Sequence, residues 1–146
     1  MMDEIYQKVR TWAEVRDFFT ESSPKAQFVK LIEEWGEIPQ DPKDGVGDSL
    51  VVLIIIAGYF GYELEKYVPI VTDKSDIELL GNLANAINKD LDPLEAIRKV
   101  YARLHTIPVQ HGFGMYACLA HAFSVIENRQ GKMIAGTWVK ESDIPA

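Results

Sequence analysis

Four carboxylates between Lys30 and Leu53, in the stretch KLIEEWGEIPQDPKDGVGDSLVVL, have the spacing for chemistry. Glu34 and Glu37 are three residues apart and Asp44 and Asp48 four, so on helices each pair shares a face. The turn Pro39-Gln40-Asp41-Pro42 between them is short, which predicts two antiparallel helices. In such a hairpin opposed residues have a nearly constant sum of positions, which faces Glu37 to Asp44 and Glu34 to Asp48. Facing acids repel: at ~5 Å and an effective dielectric of about 20, each unit pair costs roughly 3 kcal/mol. A cluster of four is hard to hold ionised without cations or a raised pKa. Oxygen-only donors suit Mg²⁺ or Mn²⁺, and Mg²⁺ ordinarily keeps waters and takes substrate phosphates as further ligands.

A plainer account of the same acids is a solvated face. A helical wheel sets Glu33 and Glu37 nearly opposite Trp35, with Glu34 on the flank and Lys30 placed to neutralise it. Asp44 is also well placed to stabilise a helix N-terminus. Asp48 weighs the other way. It shares a strip with Asp44, Val51 and Ile55, and an acid heading a buried strip is costly unless paired or metal-bound.

The elements that must position these acids are helical. Ser23-Pro24, Asp41-Pro42 and Asp92-Pro93 each supply an N-cap followed by a first-turn proline, and Ser75 with Glu78 makes a capping-box pattern. Helices are predicted near 3–20, 24–38, 42–61, 76–89, 93–105 and 112–128. Phe28, Leu31, Ile32, Trp35 and Ile38 form the core stripe of the second, and Leu94, Ile97, Val100, Tyr101 and Leu104 that of the fifth. The third reads VVLIIIAGYF beyond Ser49, apolar on every side, so it must be covered all round, in part by a second subunit. Its β-branched run also fits a strand; its length and cap favour helix. In RQGKMIAGTWVKESD, Gly131 and Gly136 separate short β-prone pieces, which predicts a small hairpin or extended tail.

The chain of 146 residues is read as one all-α domain with a real core. Its net charge of −7 argues against a nucleic-acid polymer or an anionic membrane as partner, while leaving room for a small phosphorylated ligand held through metal. The run Leu50 to Phe60 falls short of the roughly 20 residues of a membrane span. A single cysteine, Cys118, cannot form an internal disulfide, and MMDEIYQKVR does not read as a signal peptide, so the expected location is cytoplasmic.

At these residues the chain resembles the MazG-like, all-α nucleoside triphosphate pyrophosphohydrolases, in particular their short phage-type members. KLIEEWGEI is similar to the family's K-L-x-E-E-x-G-E-L, DGVGDSLVVLIIIA to D-A-x-G-D-x-L-V-V-L, and ENRQGKMIAGTWVKESD to the closing R-x-G-K-M-x-x-G-x-x-V-K-E-x-D. The resemblance implies a helical dimer or dimer of dimers that uses Mg²⁺ to split a nucleoside triphosphate into monophosphate and pyrophosphate. By position it makes Glu34 and Glu37 the first metal-binding pair and Asp48 the last acid of the second pair, with Glu33 matching the acid that precedes them. The family's usual second motif has a Glu three residues before that last Asp. Gly45 stands there in this chain, and Asp44, one residue earlier on the face of Asp48, is the stand-in.

The remaining candidates follow from chemistry. Arg129 and Lys132 carry charge suited to phosphate, Asn128 can hydrogen-bond a ligand, and Lys30 adjoins the acids. Glu34 or Glu37 is the candidate base for an attacking water. Trp12, Trp35 and Trp138 could stack on a base, with core packing the better account of Trp35. His105, His111 and His121 show no ligand spacing and read as ordinary surface or core residues. The expected function is Mg²⁺-dependent pyrophosphohydrolysis of a nucleoside triphosphate; the alternative is a non-catalytic helical dimer that binds nucleotide or another protein.

Overall fold

The computed structural model describes residues 2–145. Among them are seven α-helices and one two-stranded hairpin: α1 (Met2–Val15), α2 (Phe18–Glu21), α3 (Pro24–Glu37), α4 (Pro42–Tyr59), α5 (Asp76–Asn88), α6 (Leu94–Gln110), α7 (Met115–Ile126), β1 (Gly131–Ile134) and β2 (Thr137–Lys140), with short 3-10 turns at Leu64–Lys66 and Glu141–Asp143. No helix among the described residues is long and apolar enough to cross a membrane.

The caps act where their residue types put them. Ser23 Oγ accepts from the Ala26 N–H at 3.1 Å to start α3, and Asp41 Oδ1 accepts from the Asp44 N–H at 3.2 Å to start α4. Ser75 and Glu78 close a reciprocal capping box on α5. Asp92 Oδ1 accepts from the Leu94 N–H at 3.1 Å, satisfying one free donor at the start of α6.

Three boundaries differ from the sequence pattern. The first predicted helix is broken, because Asp17 takes a left-handed conformation at φ 63° that ends α1 and turns Phe18 back onto Trp12, ring centroids 5.2 Å apart. Helix α6 runs on past His105 to Gln110 with Pro108 inside its last turns. A proline that late removes one ladder donor without stopping the helix, which ends instead at Gly112, φ 82°. The next helix starts later and stops sooner than predicted, covering Met115–Ile126. The apolar run Val51–Ile56 is helix throughout, not strand.

Helix α4 is the axis of the fold. Every side chain from Leu50 to Ala57 is buried, with α1, α3, α6 and α7 packed around them. Each fully buried Leu or Ile contributes about 1.5–3 kcal/mol relative to exposure. This corrects the expectation that a second subunit is needed to cover the helix: one chain covers it. The close approach depends on two glycines. A Cβ at Gly45 would lie 2.7 Å from the Ile38 Cα, and one at Gly47 would run into the backbone carbonyl of Cys118 on α7. Gly45 is therefore where α3 and α4 meet backbone to backbone, and no side chain of any kind fits there in this packing.

The C-terminal hairpin pairs Gly131 with Lys140 and Met133 with Trp138, around a turn at Ala135 and Gly136 whose φ angles of 50° and 83° suit a two-residue hairpin loop. Met133 and Trp138 pack onto the helical core. Ser22 Oγ donates to the Gly136 carbonyl at 2.6 Å, fastening the turn to the start of α3.

Candidate functional site

Helices α3 and α4 run as an antiparallel pair, and this register sets Glu34 against Asp48. Glu34 lies near both Asp48 and Glu37, and its charge favours the protonated form of each. Burial is the main cause that pushes the Asp48 carboxyl up to about 7, and the charges of Glu34, Asp44 and Glu37 push the same way. Glu37, more exposed, is also raised, chiefly by the Glu34 charge. Lys30 Nζ lies 3.2 Å from Glu34 Oε1 and 3.6 Å from Glu33 Oε2. Burial works against the Lys30 ammonium, but the charges of Glu34 and then Glu33 outweigh it and raise its pKa.

Asp44 is drawn elsewhere. Its Oδ1 is 2.5 Å from Nε2 of His121 on α7, and about half of each side chain's surface is exposed or nearly so (51% and 39%). The Glu37–Asp44 rung of the hairpin is thus replaced by an α4–α7 pair. Nothing in the spacing of His121 signals this, since the partners are separated by 77 positions and meet only because Gly47 lets α4 settle against α7. Among the described residues no group of three or more His, Cys, Asp or Glu side chains is gathered closely enough to hold a metal ion.

Glu34 and Asp48 open into a cleft of about 430 Å³. Its floor is apolar, from Val51, Val52 and Ile55 of α4 with Ile126 of α7. Trp12, Phe18 and Trp138 form an aromatic wall, Trp12 and Trp138 meeting nearly edge to face at 5.5 Å. Three cations, Lys30, Arg129 and Lys140, and a third acid, Asp143, complete the lining with polar residues of α3 and β2. The cleft therefore offers an apolar slot with carboxylates and cations on its edges, a shape suited to a ligand that is flat at one end and anionic at the other.

Of the sequence candidates, Lys30, Glu34, Asp48 and Arg129 line this cleft; Glu37, Asp44, Asn128 and Lys132 do not. Asn128 and Lys132 are exposed. Trp12 and Trp138 line the cleft, whereas Trp35 packs half-buried against the core. Lys140 and Asp143 were not singled out in the sequence, although the period-two alternation of Trp138 and Lys140 places both on one face of β2. His105 is a partly buried residue packed on Tyr101 at 4.6 Å, its pKa lowered by burial.

The fold and cleft define an all-α bundle with a mixed-charge, aromatic-walled pocket at the mouth of an acidic helical hairpin. No known family's model matches the chain, and no solved structure matches it. It is similar to a protein of Haemophilus phage HP1 (strain HP1c1) described as an uncharacterized 18.2 kDa protein in the rep-hol intergenic region. The two are 36% identical over 64 residues, covering 38% of this chain and 39% of the phage protein.

Proposed function

We propose that the chain is a Mg²⁺-dependent nucleoside triphosphate pyrophosphohydrolase, converting a nucleoside triphosphate and water to the monophosphate and pyrophosphate. The observation that carries this reading is the joining of Glu34 and Asp48 to Arg129 and the Trp12–Trp138 wall in one cleft. The motif resemblance supports it independently. The donor set suits a hard divalent cation: Glu34 and Asp48 share the cleft, and the burial and repulsion that raise Asp48 are relieved by a proton or a cation. Glu34 and Asp48, which share the cleft, would hold it, with Glu37 joining only if its side chain turns inward and Asp44 only if it leaves His121. When bound, such a cation would offset phosphate charge, including the charge developing on the departing pyrophosphate.

The chain's own side chains supply the rest. Arg129 binds phosphate, and the aromatic wall takes the base. Lys30 keeps Glu34 in place by its ion pair. Glu34, with Glu37 beside it, takes the proton of a water attacking the α-phosphorus as the α–β bridging bond breaks. The dimer or dimer of dimers implied by the resemblance belongs to this proposal; the burial of α4 does not require it.

The second reading is a non-catalytic nucleotide- or protein-binding module, favoured by the diversion of Asp44 to His121. Pyrophosphate release from a panel of ribo- and deoxyribonucleoside triphosphates, with Mg²⁺ and with chelator, separates the two. Chelator-sensitive release from at least one nucleotide is the expected result. Nucleotide binding without release from any member of the panel supports the binding module instead.

A further inference from the structure

Three cations line the cleft of a chain whose net charge is −7. Lys30 is engaged by Glu34 and Glu33. Arg129 is half-buried, and among the described residues its guanidinium has no hydrogen-bond or ion-pair partner. Its backbone, by contrast, is fixed on three sides. Its N–H donates to the Ile126 carbonyl at 2.9 Å, its carbonyl accepts from Arg16 Nη2 at 3.1 Å, and the next carbonyl, of Gln130, accepts from the Glu141 N–H at 2.7 Å. A guanidinium fork on a fixed backbone, unpaired in a concave site, is arranged for an oxyanion.

Lys140 stands beside it. Gly131 pairs directly with Lys140, and the Glu141–Gln130 bond continues the pairing toward Arg129. With side chains alternating along a strand, Arg129 and Lys140 belong to the same face of this ladder, and both line the cleft. Lys132, opposite Val139, belongs to the other face and is exposed. Among the described residues Lys140 is held only by Asp143, at 3.8 Å, with both side chains substantially solvated. At that distance and exposure the pair is weak.

We propose that Arg129 and Lys140 form an anion seat in the cleft for the outer phosphates of a polyphosphate chain, and that Asp143 competes with the phosphate for Lys140. The assignment rests on the nucleotide reading above, since Glu34 and Asp48 share the cleft, but the seat itself recognises phosphate without base or metal. It replaces Lys132 by Lys140 as the partner of Arg129.

The test is calorimetric titration of inorganic tripolyphosphate into the full chain in chelator-treated, low-salt buffer. Wild type binds, and Arg129→Ala and Lys140→Ala each weaken binding at least about fivefold, the scale of one lost charge-assisted contact. Lys132→Ala leaves affinity within about twofold, and Asp143→Asn tightens it. Circular dichroism of each variant should match wild type, because all four side chains are solvated or half-buried. Absence of tripolyphosphate binding by wild type overturns the seat. So does a Lys140→Ala variant that binds as wild type, or a Lys132→Ala variant weakened as much as Lys140→Ala. Pyrophosphate release is measured in parallel. Seat-dependent binding without release from any nucleotide keeps the seat and removes the hydrolase, whereas release with binding indifferent to Lys140 removes the seat alone.

Discussion

Asp48→Asn is the substitution with the largest consequence that can be worked from the structure. In the folded chain burial and neighbouring acids raise the Asp48 carboxyl from its ordinary 3.8 to about 7. A difference of that size corresponds to about 4 kcal/mol, and the partial exposure of the side chain reduces it to about 2 kcal/mol. The sign follows from proton linkage. Below pH 3.8 the carboxyl is protonated folded and unfolded, and no penalty exists. As pH rises from there to about 7 the folded state holds a proton that the unfolded state has lost, so stability falls across this window and is flat above it. An asparagine carries no such penalty, and its amide can donate to Glu34, replacing an acceptor–acceptor contact. The metal-free variant should therefore match wild type near pH 4 and exceed it at pH 8 by about 2 kcal/mol, or about 4–8 °C in Tm for a domain of this size. Added Mg²⁺ should stabilise wild type at pH 8 and the variant much less, because a ligand stabilises only through affinity for the folded state. Melting curves at pH 4 and 8, with and without Mg²⁺, make the measurement. A variant no more stable than wild type at pH 8 would refute the burial-and-repulsion argument, and an undiminished Mg²⁺ response would refute the metal assignment at this residue.

Two further substitutions probe the scaffold. Gly47→Ala drives a methyl into the Cys118 carbonyl and should destabilise the chain by about 1–3 kcal/mol in urea unfolding, the range for overpacking where backbone must shift. Glu65→Ala leaves Arg10 without the two short contacts it makes across the α1 surface, in a pair whose side chains are only 13% and 7% exposed, and should cost about 3 kcal/mol or more.

Much of the helical frame can be read from single residues. Ser23, Asp41 and Ser75 are caps with one evident use, and α3, α4 and α5 begin directly after them. The break at Asp17 has no glycine or proline to announce it, because the left-handed turn is fixed by the packing of Phe18 on Trp12 and Trp138. The apposition of Glu34 and Asp48 is legible because it is local, set by a short turn between two capped helices. The pairing of Asp44 with His121 and the entry of Lys140 into the cleft are not. Each depends on how a distant element docks, and a side chain's period along its own strand or helix says nothing about its neighbour in space.

The Gly45 position reads differently once α3 and α4 are seen together. In sequence it looks like an acid lost; in the fold it is space that the Ile38 backbone already occupies. Placing a carboxylate there should disrupt the helical hairpin before it could add to any ligand set.

The stitching of the first helix to the last has a consequence for how the cleft comes into being. Trp12 Nε1 donates to the Ile126 carbonyl at 3.0 Å, and Arg16 reaches the carbonyls of Glu127 and Arg129, contacts that span more than a hundred positions of chain. The acid-bearing hairpin can assemble early from neighbouring sequence, but the facing side of the cleft is completed by residues 126–143, far downstream of it. Closing so long a loop is slow relative to forming a local helical pair. During synthesis Glu34 and Asp48 would face open solvent until residues 126–143 have left the ribosome. Whatever the cleft binds, it can bind in full only after residues 126–143 have been made and have docked on Trp12.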